Sequence, residues 1–408
     1  MKRTFLKIIL TVLALLLVAE LGLIGALHFG ILEMPGATEA VTEPVQTEVT
    51  EANSEPTAAP TTEPTVAPTT EPVTEPVTEP VTEPVTEPTA APTEAPTEPG
   101  PEHFTLTFVG DCTLGSDTTH YNVKYSLIWT VGEDYDYPFR NVRQYFENDD
   151  LTMINLEGVF TDEGYPVGGM FSFRGPPAYT NILTGSSVEA VTLANNHAMD
   201  YGQKGYDSTK RLLDESGIHY VERDGSKLFT TESGLTVGLY AALYLVDEWD
   251  MKQEIQQLRD DGAEIVICAM HWGVEGSYRP QGQHETWARM AIDAGADIVY
   301  GHHPHVLQRI EEYGDGIIYY SLGNFCFGGN NYPQDLDTAI LQQEVIRDLD
   351  GSISLGELTI IPASCSSLPV QNNFQPTPYE PGTKEYDRAM SKLDGTFKGY
   401  DLRVDYGK

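Results

Sequence analysis

The stretch IVYGHHPHVLQ, Ile298 to Gln308, places His302, His303 and His305 within four positions of one another behind an apolar run, in a chain of 408 residues with 10 histidines. Gly301 permits close backbone approach and Pro304 stiffens the turn; imidazoles spaced like this are a usual metal-ligand arrangement. Four other short apolar runs end in residues of the same kind. FTLTFVG is followed by Asp111, LTMINLEG ends with Asn155 and Glu157, AVTLANNH ends with Asn195, Asn196 and His197, and IVICAMHWG carries His271. Taken singly these are ambiguous. A Gly-Asp pair is ordinary turn composition, and a lone histidine in HWG reads equally as a hydrogen-bonded core residue. Two amides and an imidazole in a row satisfy one another poorly in a core, so NNH is less ordinary.

Together the set is coherent. Carboxylates, an amide oxygen and several imidazoles suit a divalent Mn, Fe or Zn ion, and the lack of cysteine ligands argues against a structural zinc site. Enough ligands exist for a binuclear centre sharing a carboxylate, which would activate a water and clamp a phosphoryl or acyl oxygen. His197 is then placed to protonate a leaving group, with Asp200 or another nearby carboxylate orienting it. Arg174 in FSFRGPP is a candidate clamp for carboxylate or phosphate, or else a surface arginine in a loop.

The elements that must position these residues are short. The five runs, with LTVGLYAA and IIYYSLGNF, are rich in Val, Ile and Tyr and read as strands. Helical patterns fall near residues 138–148, 203–216, 250–261 and 283–294. In the last, QHETWARMAIDAG, Trp287, Met290, Ala291 and Ala294 share one stripe that stops at Gly295. Strands alternating with helices argue for a layered α/β domain, in which strand C-termini share one edge where ligands bind. Near the end, TAILQQEVI and SISLGELTIIPA suggest a second, partly antiparallel sheet, followed by one more helix, TKEYDRAMSKLDG.

Before residue 103 the composition is different. Lys2, Arg3 and Lys7 precede an apolar run interrupted only by Glu20, long enough for a membrane span and without a clean cleavage site, which reads as an uncleaved signal-anchor. Residues 31–102 contain 15 Glu, no Lys or Arg, and the repeat EPVTEPVTEPVTEPVTEPT. Such a segment has nothing to bury and is expected to be an extended, disordered stalk. The expected organisation is an anchor at 1–30, a stalk at 31–102, a folded domain at 103–375, and a C-terminal helix and tail at 376–408. The net charge of −37 leaves −24 on residues 103–408, which disfavours nucleic acid as a partner. An anionic substrate would need a local positive focus, which a metal supplies. Cys112, Cys268, Cys326 and Cys365 are too few and scattered for a disulfide framework, although one bridge is open to them.

The ordered set FVGD, INLEG, LANNHAMDYG, HWG, GHHPHVLQ and SLGNF resembles the CapA family, the capsule-synthesis proteins linked to poly-γ-glutamate, from about Phe104 to Pro362. The resemblance implies a membrane-anchored protein whose domain lies outside the cytoplasm. It also implies a four-layer α/β/β/α sandwich like that of calcineurin-type metallophosphoesterases. Carried onto this sequence, it makes Asp111 a first metal ligand, Glu157 the shared carboxylate, Asn196 the amide ligand and His197 the acid. His271 and two of His302, His303 and His305 complete the set, either 302 with 305 or 303 with 305, the spacing favouring the second. Asn195 and Asn324 are further candidates for substrate contact. Two departures stand out. Thr113 occupies a position where the phosphoesterase pattern has histidine, and Glu157 one where it has aspartate. The implied partners are an anionic capsule polymer or its precursor, other capsule-synthesis subunits and, through the anchor, the membrane. Two functions remain open: a metal-dependent hydrolase or transferase, and a non-catalytic component that holds the polymer on a decayed site.

Overall fold

The run that begins at Phe104 lies at the heart of a sheet, and its neighbours explain where the site can form. The computed structural model describes residues 100–403. The strands are β1 (Glu102–Thr113), β2 (Ser116–Asp117), β3 (Leu151–Leu156), β4 (Val159–Phe160), β5 (Phe173–Gly175), β6 (Ala190–Thr192), β7 (His219–Val221), β8 (Gly225–Thr230), β9 (Thr236–Leu243), β10 (Ile265–His271), β11 (Ile298–His302), β12 (Ile310–Tyr313), β13 (Gly316–Tyr319), β14 (Asn324–Phe327), β15 (Asp337–Arg347), β16 (Ile353–Ser364) and β17 (Thr377–Pro378). The helices are α1 (Leu127–Val131), α2 (Arg143–Phe146), α3 (Thr180–Thr184), α4 (Gly202–Glu215), α5 (Glu248–Asp260), α6 (Gly282–Asp293) and α7 (Lys384–Leu393).

One sheet runs β17-β16-β15-β1-β3-β6-β7, with β14 also paired to β1; a second runs β12-β13-β11-β10-β9-β8; β2, β5 and β4 form a small third one. Strand β10 shows why the two large sheets stack. Its alternate residues Ile265, Ile267 and Ala269 join a core with Phe104, Leu106 and Phe108 of β1, between the sheets. The intervening Val266, Cys268 and Met270 pack against Met251, Ile255 and Leu258 of α5 and Trp287 and Ala291 of α6. A strand apolar on both faces must be covered on both. On the far side of the first sheet, Val109, Ile154 and Val191 meet Phe146, Ile182 and Leu213 from helices α2, α3 and α4. Truncating a side chain as buried as Ile267 to Ala would cost about 2–5 kcal/mol.

Several expectations change. TAILQQEVI and SISLGELTIIPA do not build a separate sheet. β15 pairs antiparallel with β1 from Glu102↔Arg347 to Phe108↔Leu341, and β16 continues that same sheet. The second sheet is made instead from residues 225–319. The run IIYYSLGNF is two strands in different sheets, because Gly323, at φ 68°, turns the chain so that β13 stays with β11 while β14 joins β1. The helix expected near 138–148 is reduced to the four residues of α2 after a series of turns. Helix α6 has Trp287 and Ala291 buried and Met290 and Ala294 partly so, and Gly295 at φ 109° follows it, as its stripe predicts.

The C-terminal helix is part of the same body. Ala389 and Leu393 of α7 enter the core between the sheets. The buried Lys392 Nζ lies 2.5 Å from Asp335 and 2.7 Å from Asp337. All four cysteines are buried and free. The expected anchor at 1–30 and all but the last residues of the expected stalk lie outside the described residues. Among the described residues, no helix is long and apolar enough to cross a membrane.

Candidate metal centre

Strands β1, β3 and β6 are parallel in one sheet, and β9, β10 and β11 are parallel in the other, so each group delivers its C-terminal ends to one edge. Asp111 lies within β1, not beyond it, at an irregularity in the pairing, level with Asn155 on β3 and Asn324 on β14. His271 is level with His302 on the neighbouring strand. The two sheets meet here: His302 Nδ1 is 2.9 Å from Asp111 Oδ1. Two glycines let the segment that crosses from β13 to β14 pack closely on β1 and β11. A Cβ on Gly110 would lie 2.2 Å from the Gly323 carbonyl oxygen, and one on Gly301 2.2 Å from that of Tyr320. Beyond β11 the turn holds His303 at φ 94° and His305 at φ 56°, conformations that cost a β-carbon residue energy and concentrate at functional sites.

At the centre sits Glu157. It is fully buried, and neither carboxylate oxygen has a hydrogen-bond partner. Its Oε1 is 3.8 Å from His271 Nε2 and 3.9 Å from His305 Nε2. The buried His271 Nδ1, His302 Nε2 and His303 Nδ1 are unpartnered as well. Burying a carboxylate without compensation costs several kcal/mol, so a proton or a cation must answer it. Three sets of side chains bring one ligand atom each to within 4.8 Å of one another: Glu157 with His271 and His303, Asp111 with Glu157 and His305, and Glu275 with His303 and His305. Glu157 belongs to two of them. This donor set, oxygen and imidazole without thiolate, fits a divalent cation such as Mn, Fe or Zn.

The electrostatics follow from burial and proximity. Burial pushes Glu157 up to about 7, against the pull of the His305 charge. Burial also raises Asp111, but hydrogen bonds from His302 and His305 outweigh it and hold that carboxyl well below the usual range. Burial, then neighbouring His303, keeps His271 far below the ordinary imidazole value, and burial with His305 lowers His303 to about 3. His305 is the exception: despite burial, Glu157 and Asp111 raise it to about 10.

The other sequence candidates fall around this core. Asn196 Oδ1 accepts from His271 Nε2 at 2.6 Å. His197 Nδ1 is 2.8 Å from Asp200 Oδ2, and the Phe173 ring lies 4.5 Å from the imidazole. Burial alone would lower the pKa of His197; the Asp200 hydrogen bond and the Glu157 charge raise it. Asp200 also accepts from the Phe173 backbone N–H at 2.6 Å, which fixes it. Asn195 bridges backbone and core, donating to Asn155 Oδ1 at 3.0 Å and to the Leu156 carbonyl at 2.8 Å. Asn324 Oδ1 accepts from His305 Nδ1 at 2.9 Å. His302 is absent from the three ligand sets and faces Asp111. Arg174 lies over the rings of Tyr121 and Tyr201, at 4.5 and 5.2 Å, rather than among the histidines. The Thr113 hydroxyl is buried without a partner.

Glu275 joins the site without having been expected there, and Asn155, expected at the rim but without a role, gains one. Asn155 donates to Asp111 Oδ1 at 2.9 Å; it was visible at a strand end, but nothing in its spacing marked its direction. Glu275 follows HWG in the loop after β10, where Gly273 at φ 97° turns the chain back toward the histidines. A cleft of about 220 Å³ opens beside the centre, with Phe171, Phe173, His197, Glu275, His305 and Phe327 among its walls.

The family model described as bacterial capsule synthesis protein PGA_cap matches residues 105–241 and 223–329. The capsule biosynthesis protein CapA of Bacillus anthracis is 30% identical over 279 residues, covering 59% of this chain, and the chain spans 64% of that protein's length. The PGA biosynthesis protein CapA of Bacillus subtilis (strain 168) is 28% identical over 316 residues, with 71% of this chain and 80% of that one covered. The match to the solved structure of Haemophilus influenzae NAD nucleotidase covers 73% of this chain and 57% of that one at 11% identity, with a TM-score of 0.36. With the matched segments spanning both sheets and every strand end that contributes to the site, the chain belongs to the CapA family of bacterial capsule synthesis proteins.

Proposed function

We propose that this protein acts in the synthesis or export of an anionic capsule polymer of the poly-γ-glutamate type. In this reading it works outside the cytoplasm from an N-terminal membrane anchor and stalk, beside other capsule-synthesis subunits. Its site is a metal-dependent hydrolase or transferase centre that acts on a phosphoester or on a γ-glutamyl amide. Family membership supports the process, and the names of the relatives support the polymer class. Two stacked sheets with helices outside, and ligands at one shared edge, support a metallophosphoesterase-like sandwich.

The observation that carries the catalytic part is Glu157, a buried carboxylate with both oxygens unpartnered between His271 and His305. Asp111, Glu157, His271, His303 and His305 would hold the metal, with the Asn196 amide beside His271. A bound divalent cation supplies charge neutralisation and an activated water. The side chains do the rest. His197, its Nδ1 fixed on Asp200, holds a proton on Nε2 for a leaving group at the cleft. Asp200, pinned by the Phe173 backbone, keeps that imidazole in one orientation. Phe171, Phe173 and Phe327 exclude water from one side of the cleft. The domain carries −24, so a polyanion approaches favourably only where cationic charge is concentrated.

A second reading, a non-catalytic polymer-holding component, is favoured by one observation. Thr113 stands where the phosphoesterase pattern has a histidine, and its hydroxyl finds no partner. Incubating the purified chain and Mn²⁺ with bis-p-nitrophenyl phosphate and with γ-glutamyl oligomers separates the two. Hydrolysis that is lost in His197→Ala supports the enzyme. No turnover of either probe by a metal-loaded protein supports the holding component.

A further inference from the structure

The three ligand sets share members in a closed pattern. His303 belongs to the Glu157 set and to the Glu275 set, His305 belongs to the Glu275 set and to the Asp111 set, and Glu157 joins the remaining two. A neutral imidazole offers a single lone pair, so each histidine serves one cation at a time. An ion held by Glu275, His303 and His305 therefore takes both histidines away from the inner sets. It leaves Glu157 with His271, and Glu157 with Asp111, as pairs too poor in ligands to hold a second ion well. The Glu275 position and the filled inner centre exclude one another.

The positions also differ in depth. Asp111, Glu157 and His271 are all at most 1% exposed, whereas Glu275 is only partly buried and forms the cleft wall together with His305. An ion entering from the cleft meets Glu275 before it meets Glu157. The outer set is built rather than incidental. The Gly276 backbone N–H donates to the Pro304 carbonyl at 2.8 Å, and Leu402 N–H donates to the Gly276 carbonyl at 2.9 Å. Glu275 is thus tied to the turn between His303 and His305. The buried His303 keeps an unpartnered Nδ1.

We infer that Glu275, His303 and His305 form an outer loading position through which a divalent cation passes to and from the buried centre. This rests on the reading of that centre as a metal site. A station on the path speeds entry and exit alike and leaves the affinity of the final state unchanged.

The test uses the full chain and Zn²⁺ alone, delivered from a fluorescent chelator and later stripped with EDTA, in wild type, Glu275→Gln and Glu275→Asp. In Glu275→Gln both loading and stripping should slow about 10-fold, with stoichiometry kept and Kd within about twofold. Glu275→Asp should restore much of the rate, and unfolding temperatures should match. Loss of an equivalent or a weaker Kd in Glu275→Gln would make Glu275 a resident ligand and overturn the inference. Unchanged rates would make it a bystander and overturn it too. Either result leaves the metal reading standing, whereas a wild type that takes up no Zn²⁺ removes both.

Discussion

His302 Nδ1 lies 2.9 Å from Asp111 Oδ1, joining the C-terminal end of a strand in one sheet to a strand of the other. Both residues are buried, and Asp111 also lies 3.1 Å from His305 Nδ1. His302 therefore orients Asp111 while His305 faces the centre. Substitution His302→Ala should leave the fold intact and weaken divalent-metal binding about 10–100-fold, as loss of a ligand's supporting hydrogen bond does. Titration calorimetry with Mn²⁺ checks this, and an unchanged Kd would remove His302 from the supporting shell.

Glu157 should behave in opposite ways with and without metal. Its pKa of about 7, raised by burial, means that ionisation in the folded protein is costly. In chelator-treated protein at pH 8, Glu157→Gln should raise stability by about 1–3 kcal/mol, because it removes a buried charge whose desolvation outweighs the pull of His305. The same variant should fail to gain stability when Mn²⁺ is added, whereas wild type gains it. Paired thermal melts report both signs.

His197 and Asp200 form a separable unit. If Asp200 sustains the raised pKa of His197, then Asp200→Asn lowers it and moves the alkaline limb of the pH–rate profile to lower pH. Turnover at pH 7 should fall about 10²–10⁴-fold, the usual contribution of a positioned acid. Metal content should not change. A profile that keeps its limb would assign the proton to another group.

Remote from the centre, Asp149 and Glu189 converge on Thr152, whose hydroxyl donates to Asp149 at 2.7 Å and whose backbone N–H donates to Glu189 at 2.8 Å. Burial raises both carboxyls to about 7. A carboxyl with a raised folded pKa binds its proton more tightly when folded, so stability is greatest on the acid side and declines as pH rises from about 4 to 7. Both groups are partly exposed, so the combined effect is discounted to about 1–2 kcal/mol. The Asp149→Asn, Glu189→Gln double variant should flatten the fall in melting temperature between pH 5 and pH 8. An equally steep fall would assign it to the net acidic charge.

The site was more legible in the sequence than the sheets around it. Residue type announces chemistry directly: clustered imidazoles and an NNH triplet are poor core material, and their place after apolar runs puts them at a shared edge. Strand partnership is not local in that way. Nothing within TAILQQEVI says that it pairs with the residues around Phe104, some 240 positions earlier, and IIYYSLGNF looks continuous although Gly323 divides it between two sheets. Direction was equally hidden. Arg174, on the short strand β5, and Glu275, in a loop, both read as lone charges in sequence, yet one lies over tyrosine rings and the other faces the histidines.

Elemental analysis of the full chain, purified without chelators and compared with a His271→Ala, His303→Ala double variant, tests the metal reading most directly. The expected result is about one to two equivalents of Mn, Fe or Zn in the wild type and none in a folded double variant. A folded wild type without bound metal, and unable to take up added Mn²⁺ or Zn²⁺, would contradict it.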